Sequence, residues 1–173
     1  MRGRLDDFTD QVHQSEQGRG AWARILDGPL DEYAVVLEDR GWVVARIEPR
    51  AGQGLRELIV DALQLPMANR VRPNAPSRVA AATGALQQFA RPVLDARSTG
   101  TCPPGEDPHL EDDLRELLLT LVKAAAAEGV GIALLIEKAN DLSTTSLAAI
   151  FTLTAGAQTA GWPLHVILSG LRT

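Results

Sequence analysis

Apolar residues along this chain fall into two kinds of run. Trp42-Val-Val-Ala-Arg-Ile47, Ile132-Ala-Leu-Leu-Ile136 and Leu164-His-Val-Ile-Leu168 are short and almost unbroken. Such runs read as strands buried on both faces, as in a parallel sheet covered by helices. Between them the apolar positions recur every three or four residues. Leu55, Leu58, Ile59, Ala62 and Leu63 make one helical face; Tyr33, Val36 and Leu37 make another between Leu30 and Arg40. The third falls within Leu110–Glu128, where Asp107, Glu111, Asp112 and Asp113 crowd the start and favour the positive dipole end. Ser143 is a candidate N-cap for a further helix ending at Gln158 or Ala160. Gly41, Gly129 and Gly161 each close a helix just before a strand.

The pattern predicts an α/β fold: a three-layer sandwich around a mostly parallel sheet, with strands near 42–47, 132–137 and 164–169 and right-handed crossovers. Residues 1–29 read as a poorly defined N-terminal segment with no strand and a helical turn near Asp6–His13; residues 30–173 read as the domain. Pro66 is expected to end the helix begun at Leu55, 66–78 to be a loop, Val79–Ala90 a second helix, and Arg91–Pro108 a long surface loop rich in Pro, Gly, Thr and Asp.

Composition narrows the class. The 173 residues carry 45% apolar and 23% charged side chains, a globular balance with an aliphatic core. The formal charge of −5 does not support direct nucleic-acid binding, which needs a basic face. One cysteine, Cys102, forbids an intrachain disulfide and suits a reducing, cytoplasmic setting. No signal-peptide pattern and no membrane-spanning apolar run is expected.

The segment with the most chemistry is Gly131-Ile-Ala-Leu-Leu-Ile-Glu-Lys-Ala-Asn-Asp-Leu-Ser143. An apolar strand ending in an acid has the form of a Walker B strand, whose acid emerges at the sheet edge and holds magnesium through water. Around it, residues 110–172 resemble the core of AAA-type P-loop ATPases, in the bacterial branch related to origin-recognition ATPases. The resemblance lies in Asp113-Leu-Arg-Glu-Leu-Leu118 before the strand, Glu137-Lys-Ala-Asn-Asp-Leu142 after it, the helix Leu147-Ala-Ala through Gly161-Trp-Pro163, and His165-Val-Ile-Leu-Ser-Gly-Leu171. It extends more weakly upstream to residue 31. By this resemblance Glu137 takes the Mg-ATP position, Ser169 lies near the sensor-1 position that reads the γ-phosphate, and the cofactors are ATP and Mg2+. Partners would be further copies of the chain or an AAA-type protein.

The chain departs from that family in three places. It contains no Gly-Lys pair, so G-x-x-x-x-G-K-[ST] is missing. Only Gly18 and Gly20 stand as a weak phosphate-loop remnant, and Gly20–Arg24 has the form of a frame-shifted relic of one. Lys138 occupies the place of the second Walker B acid, and a helical lid is expected to be absent. The expected function is therefore a degenerate ATPase-like domain with weak or no hydrolysis. The alternative is a non-catalytic interaction module on the same frame, using a sheet edge or the 91–108 loop. A third reading is similarity to anti-sigma-factor antagonists, through Asp141-Leu-Ser143 and the hydroxyls Ser143 and Ser146. His13, His109 and His165 are scattered, with His165 expected in the core. Arg70, Arg72 and Arg91 read as solvated loop charges, and Cys102 as an incidental thiol.

Overall fold

All three apolar runs are strands, and a fourth strand precedes them. The computed structural model describes residues 2–16, 22–50, 53–68, 77–100 and 107–171. Helix α1 (Arg2–Glu16) leads into β1 (Trp22–Leu26), α2 (Asp31–Asp39) and β2 (Val43–Ile47). Three helices follow: α3 (Leu55–Ala68), α4 (Ser77–Thr99) and α5 (Leu110–Ala126). The chain then forms β3 (Ile132–Ile136), a 3-10 turn at Ala139–Asp141, α6 (Thr144–Thr159) and β4 (Leu164–Ser169). The sheet is parallel throughout, in the order β1-β4-β3-β2. The fold is thus the expected α/β class, and it fits a partial P-loop-like sandwich.

Register places the faces. Val43 lies opposite Ile132, Ile132 opposite Leu164, and Trp22 opposite His165. On one face Val44, Ala133, Leu135 and Ile167 pack against Phe8 and Val12 of α1 and Tyr33, Ala34 and Leu37 of α2. On the other, Ala45, Ile132, Leu134, Val166 and Leu168 pack against α3 to α6. The chain leaves β1 through α2 on the first face and leaves β2 and β3 through helices on the second. That division follows from right-handed crossovers when the strand sequence reverses direction across the sheet.

Three helix ends share one device. Gly41, Gly129 and Gly161 have φ of 76°, 73° and 68°. In each case the following N–H reaches back five residues: Trp42 to the carbonyl of Leu37, Val130 to Ala125, and Trp162 to Ala157, all between 3.0 and 3.1 Å. These are Schellman caps, which settle the orphan carbonyls of a helix and turn the chain. Each delivers the chain into the next strand within four residues.

Several expectations for the connections are corrected. The N-terminal segment holds a helix of 15 residues and the edge strand β1, instead of one turn and no strand. β1 shows alternate half-burial rather than an apolar run, so its signal is weaker. Pro66 lies inside α3, which ends two residues later. The expected 91–108 loop is helical to Thr99, because α4 continues through Pro92 at the loss of one backbone bond. Cys102, Arg70 and Arg72 lie outside the described residues.

Arg56 explains how the second face is held. It is 6% exposed, yet its guanidinium reaches Asp107 and Asp113, both at 2.5 Å, and the Phe89 carbonyl at 3.0 Å. Its carbon centre also lies 4.5 Å from the centroid of the Phe89 ring. One side chain thus joins α3, α4 and the start of α5. The acids read from sequence as dipole partners are in part the counter-ions of this buried cation.

His165 is a core residue, as expected, at 1% exposure. Its ring meets Trp42 edge-on at 4.8 Å and Phe8 at 5.9 Å. Burial, assisted by the charge of Arg24, lowers its pKa to about 4. The unfolded chain therefore takes up this proton near pH 6.5, well before the native state does. Stability from this group is complete above pH 6.5 and declines as pH falls toward 4, by about 3 kcal/mol in all. His165→Phe is expected to flatten that decline in urea titrations between pH 7 and 4.5; an unchanged slope refutes the assignment. Gly131 makes a second test. A Cβ there would lie 2.5 Å from the Trp42 ring and 2.6 Å from the Pro163 carbonyl. Gly131→Ala is expected to lower stability by about 1–3 kcal/mol in the same assay.

Candidate functional site

In an open parallel sheet, ligands sit beyond the carboxyl ends of the strands, where neighbouring strands send their connections to opposite faces. Here β1 exits to one face and β3 to the other, with β4 between them. Ser169 is the last residue of β4, 6% exposed and in register with Leu26 of β1. Glu137 follows β3 directly. Its N–H donates to the Ile47 carbonyl at 2.9 Å, which fixes the exit of β3 against that of β2. The two side chains singled out in the sequence thus stand at the tips of adjacent strands, on one edge of the sheet.

The next residue is bent sharply. Lys138 has φ 49° and ψ 46°, the sole positive φ of a non-glycine among the described residues. Its backbone passes so close to Gly170 that a Cβ on that glycine would lie 3.0 Å from the Lys138 Cα. The lysine Nζ bonds Glu48 Oε1 at 2.6 Å. This bond and the attraction behind it lower the Glu48 pKa and raise that of Lys138. The residue in the place of a water-polarising acid is therefore a cation tied to the exit of β2.

Beyond Lys138, the 3-10 turn leads to Ser143, the N-cap of α6. Its Oγ accepts from the Ser146 N–H at 3.1 Å and donates to the Ser146 hydroxyl at 2.9 Å. Ser146 is 8% exposed. Both hydroxyls of the antagonist-like reading are thus engaged in capping, and the second is buried.

The connection after β1 is where a phosphate loop would stand. It consists of Asp27-Gly-Pro-Leu30, with Gly28 at φ 119°. The first turn of α2 carries Asp31 and Glu32. Three carboxylates and no lysine meet the positive end of this helix, so the residues do not fit a triphosphate there. Gly18 and Gly20 lie outside the described residues and precede β1 in sequence, and Trp22 to Arg24 belong to the strand itself.

A cleft of about 450 Å3 lies one strand further over, between the β2 and β3 exits, the start of α2 and the side of α3. The apolar Ile47, Leu58 and Leu135 and the charged Glu48, Arg50 and Glu137 are among its lining residues. Arg50 and this cleft are not singled out by any sequence motif. Among the described residues no three ligating side chains cluster as a direct metal site. Glu137 is a single carboxylate at the β3 tip, and magnesium commonly takes one or two carboxylates together with water and substrate oxygens. No described helix is long and apolar enough to cross a membrane.

Lys138→Gly tests the bend. Because the ion pair is exposed, its loss is expected to matter little. Relief of the left-handed backbone should leave stability unchanged or raise it by up to about 1 kcal/mol, whereas Lys138→Val should lower it. Paired denaturation curves for the two variants decide the matter, and equal losses in both count against a strained backbone.

No family model matches this chain, and no curated protein matches it significantly.

Proposed function

We propose that the chain is a degenerate ATPase-like domain of the AAA type, working in the cytoplasm. It keeps the parallel frame and the acid that faces magnesium, and it lacks both the phosphate-gripping lysine and the acid that polarises water. One observation carries the reading: Glu137 and Ser169 occupy the tips of neighbouring strands at the point where the sheet's connections diverge. An acid there orients magnesium, and a hydroxyl beside it reads a phosphate oxygen. Hydrolysis is a different matter. In-line attack needs a group that orients water, and Lys138, cationic and tied to Glu48, does not accept that proton.

A second reading has its own support. Asp27, Asp31 and Glu32 ring the place of the phosphate loop, and such a surface is better suited to docking a basic segment of a partner than to holding a triphosphate. On this view the domain is a non-catalytic module for a further copy of the chain or an AAA-type protein.

Calorimetric titration with Mg-ATP separates them. The first reading expects saturable binding with Kd near the millimolar range, about −4 kcal/mol, that disappears in Glu137→Ala, with no phosphate release above the buffer rate. Turnover at ordinary enzymatic rates refutes the degenerate assignment. Absence of any heat with Mg-ATP leaves the docking module.

A further inference from the structure

The cleft at the β2 and β3 exits carries six charged side chains, Asp31, Arg46, Glu48, Arg50, Asp61 and Glu137. Four already have partners. Arg46 bonds Asp31 at 2.8 Å and reaches Glu38 at 3.4 Å. Lys138 bonds Glu48, and Arg97 bonds Asp61 at 3.0 Å and Glu57 at 2.7 Å. Arg50 and Glu137 alone among the six have no hydrogen bond or ion pair through their side chains. One free guanidinium and one free carboxylate thus line the same polar cleft.

We propose that this cleft, not the β1 exit, receives the phosphate chain of a magnesium complex, with Arg50 bonding phosphate oxygens and Glu137 holding the ion through water. The proposal rests on the nucleotide reading above for its class of ligand. It moves the grip from a missing lysine to Arg50, and it leaves Ser169, which does not line the cleft, out of the phosphate contacts. A guanidinium is suited to that work, because its planar fork matches phosphate oxygens and stays charged at any working pH. The cleft is also of the size that takes a small ligand.

The charge balance favours a magnesium complex over the bare polyphosphate. With their partners, the cleft residues form a set of six carboxylates, Asp31, Glu38, Glu48, Glu57, Asp61 and Glu137, against four cations, Arg46, Arg50, Arg97 and Lys138. A bare polyphosphate meets net negative charge and is repelled. One divalent ion at Glu137 cancels that excess and gives the phosphates a second cation beside Arg50.

Isothermal titration of the full chain with magnesium tripolyphosphate, and separately with Mg-ATP, tests this. Arg50 is exposed, so Arg50→Gln should leave folding intact, and Arg115→Gln on α5 supplies the same charge change away from the cleft. Tripolyphosphate is expected to bind only with magnesium, and Arg50→Gln to weaken it by about tenfold to a hundredfold while Arg115→Gln leaves it unchanged. Equal weakening by the two variants overturns the proposal as general charge attraction. Mg-ATP binding that ignores Arg50→Gln but is lost in Glu137→Ala overturns the cleft and keeps the nucleotide reading. Silence from both ligands up to about 10 mM overturns both. Tripolyphosphate binding as tight as that of ATP and dependent on Arg50 upholds the cleft and overturns recognition of the base.

Discussion

Every residue of β3 and β4 is buried, and the rest of the molecule answers to that constraint. A strand pair with no side chain in water needs helices on both faces and a strand on each flank. β1 and β2 supply the flanks, and the crossover from β1 to β2 carries α2 over the first face. The second face takes four helices, and its tightest tie is ionic. Arg56 joins three of them from a position that water barely reaches. A cation so placed is tolerated because Asp107, Asp113 and the Phe89 carbonyl occupy its donors.

What could be read from the sequence follows the same physics. β2, β3 and β4 are legible because full burial leaves an unbroken apolar run. The three glycine caps are legible because a left-handed helix end strongly selects glycine. β1 escapes because Trp22-Ala-Arg-Ile-Leu26 is half-exposed at an edge, with Arg24 turned to Gln11 of α1. Pro92 misleads because proline is counted as a helix breaker, while packing of Phe89, Ala90 and Val93 carries α4 past it. In α4 tertiary burial outweighs the local signal; in β1 the edge position leaves little apolar signal to read.

The site divides in a similar way. Glu137, Ser169 and the Ser143 cap are legible because each ends or starts an element, and a motif fixes their place along the chain. Arg50 and the cleft are not, because they depend on how the β2 exit lies beside α3 and on which charges are already paired. Arg46, Glu48 and Asp61 look equally available in a sequence. Only the geometry shows that their partners come from 8, 15, 36 and 90 residues away.

The place of β1 also bears on when the sheet can be completed. Its partner is β4, and Trp22 and His165 stand opposite each other across 143 positions of chain. At usual rates of synthesis β4 leaves the ribosome about 7–30 s after β1. During that interval β1 has no strand to pair with, whereas α1 and α2 already have part of their face in Val44, Ala133 and Leu135. The pairing of β1 therefore waits for β4, so the sheet is closed on that flank by the strand farthest from it in the chain.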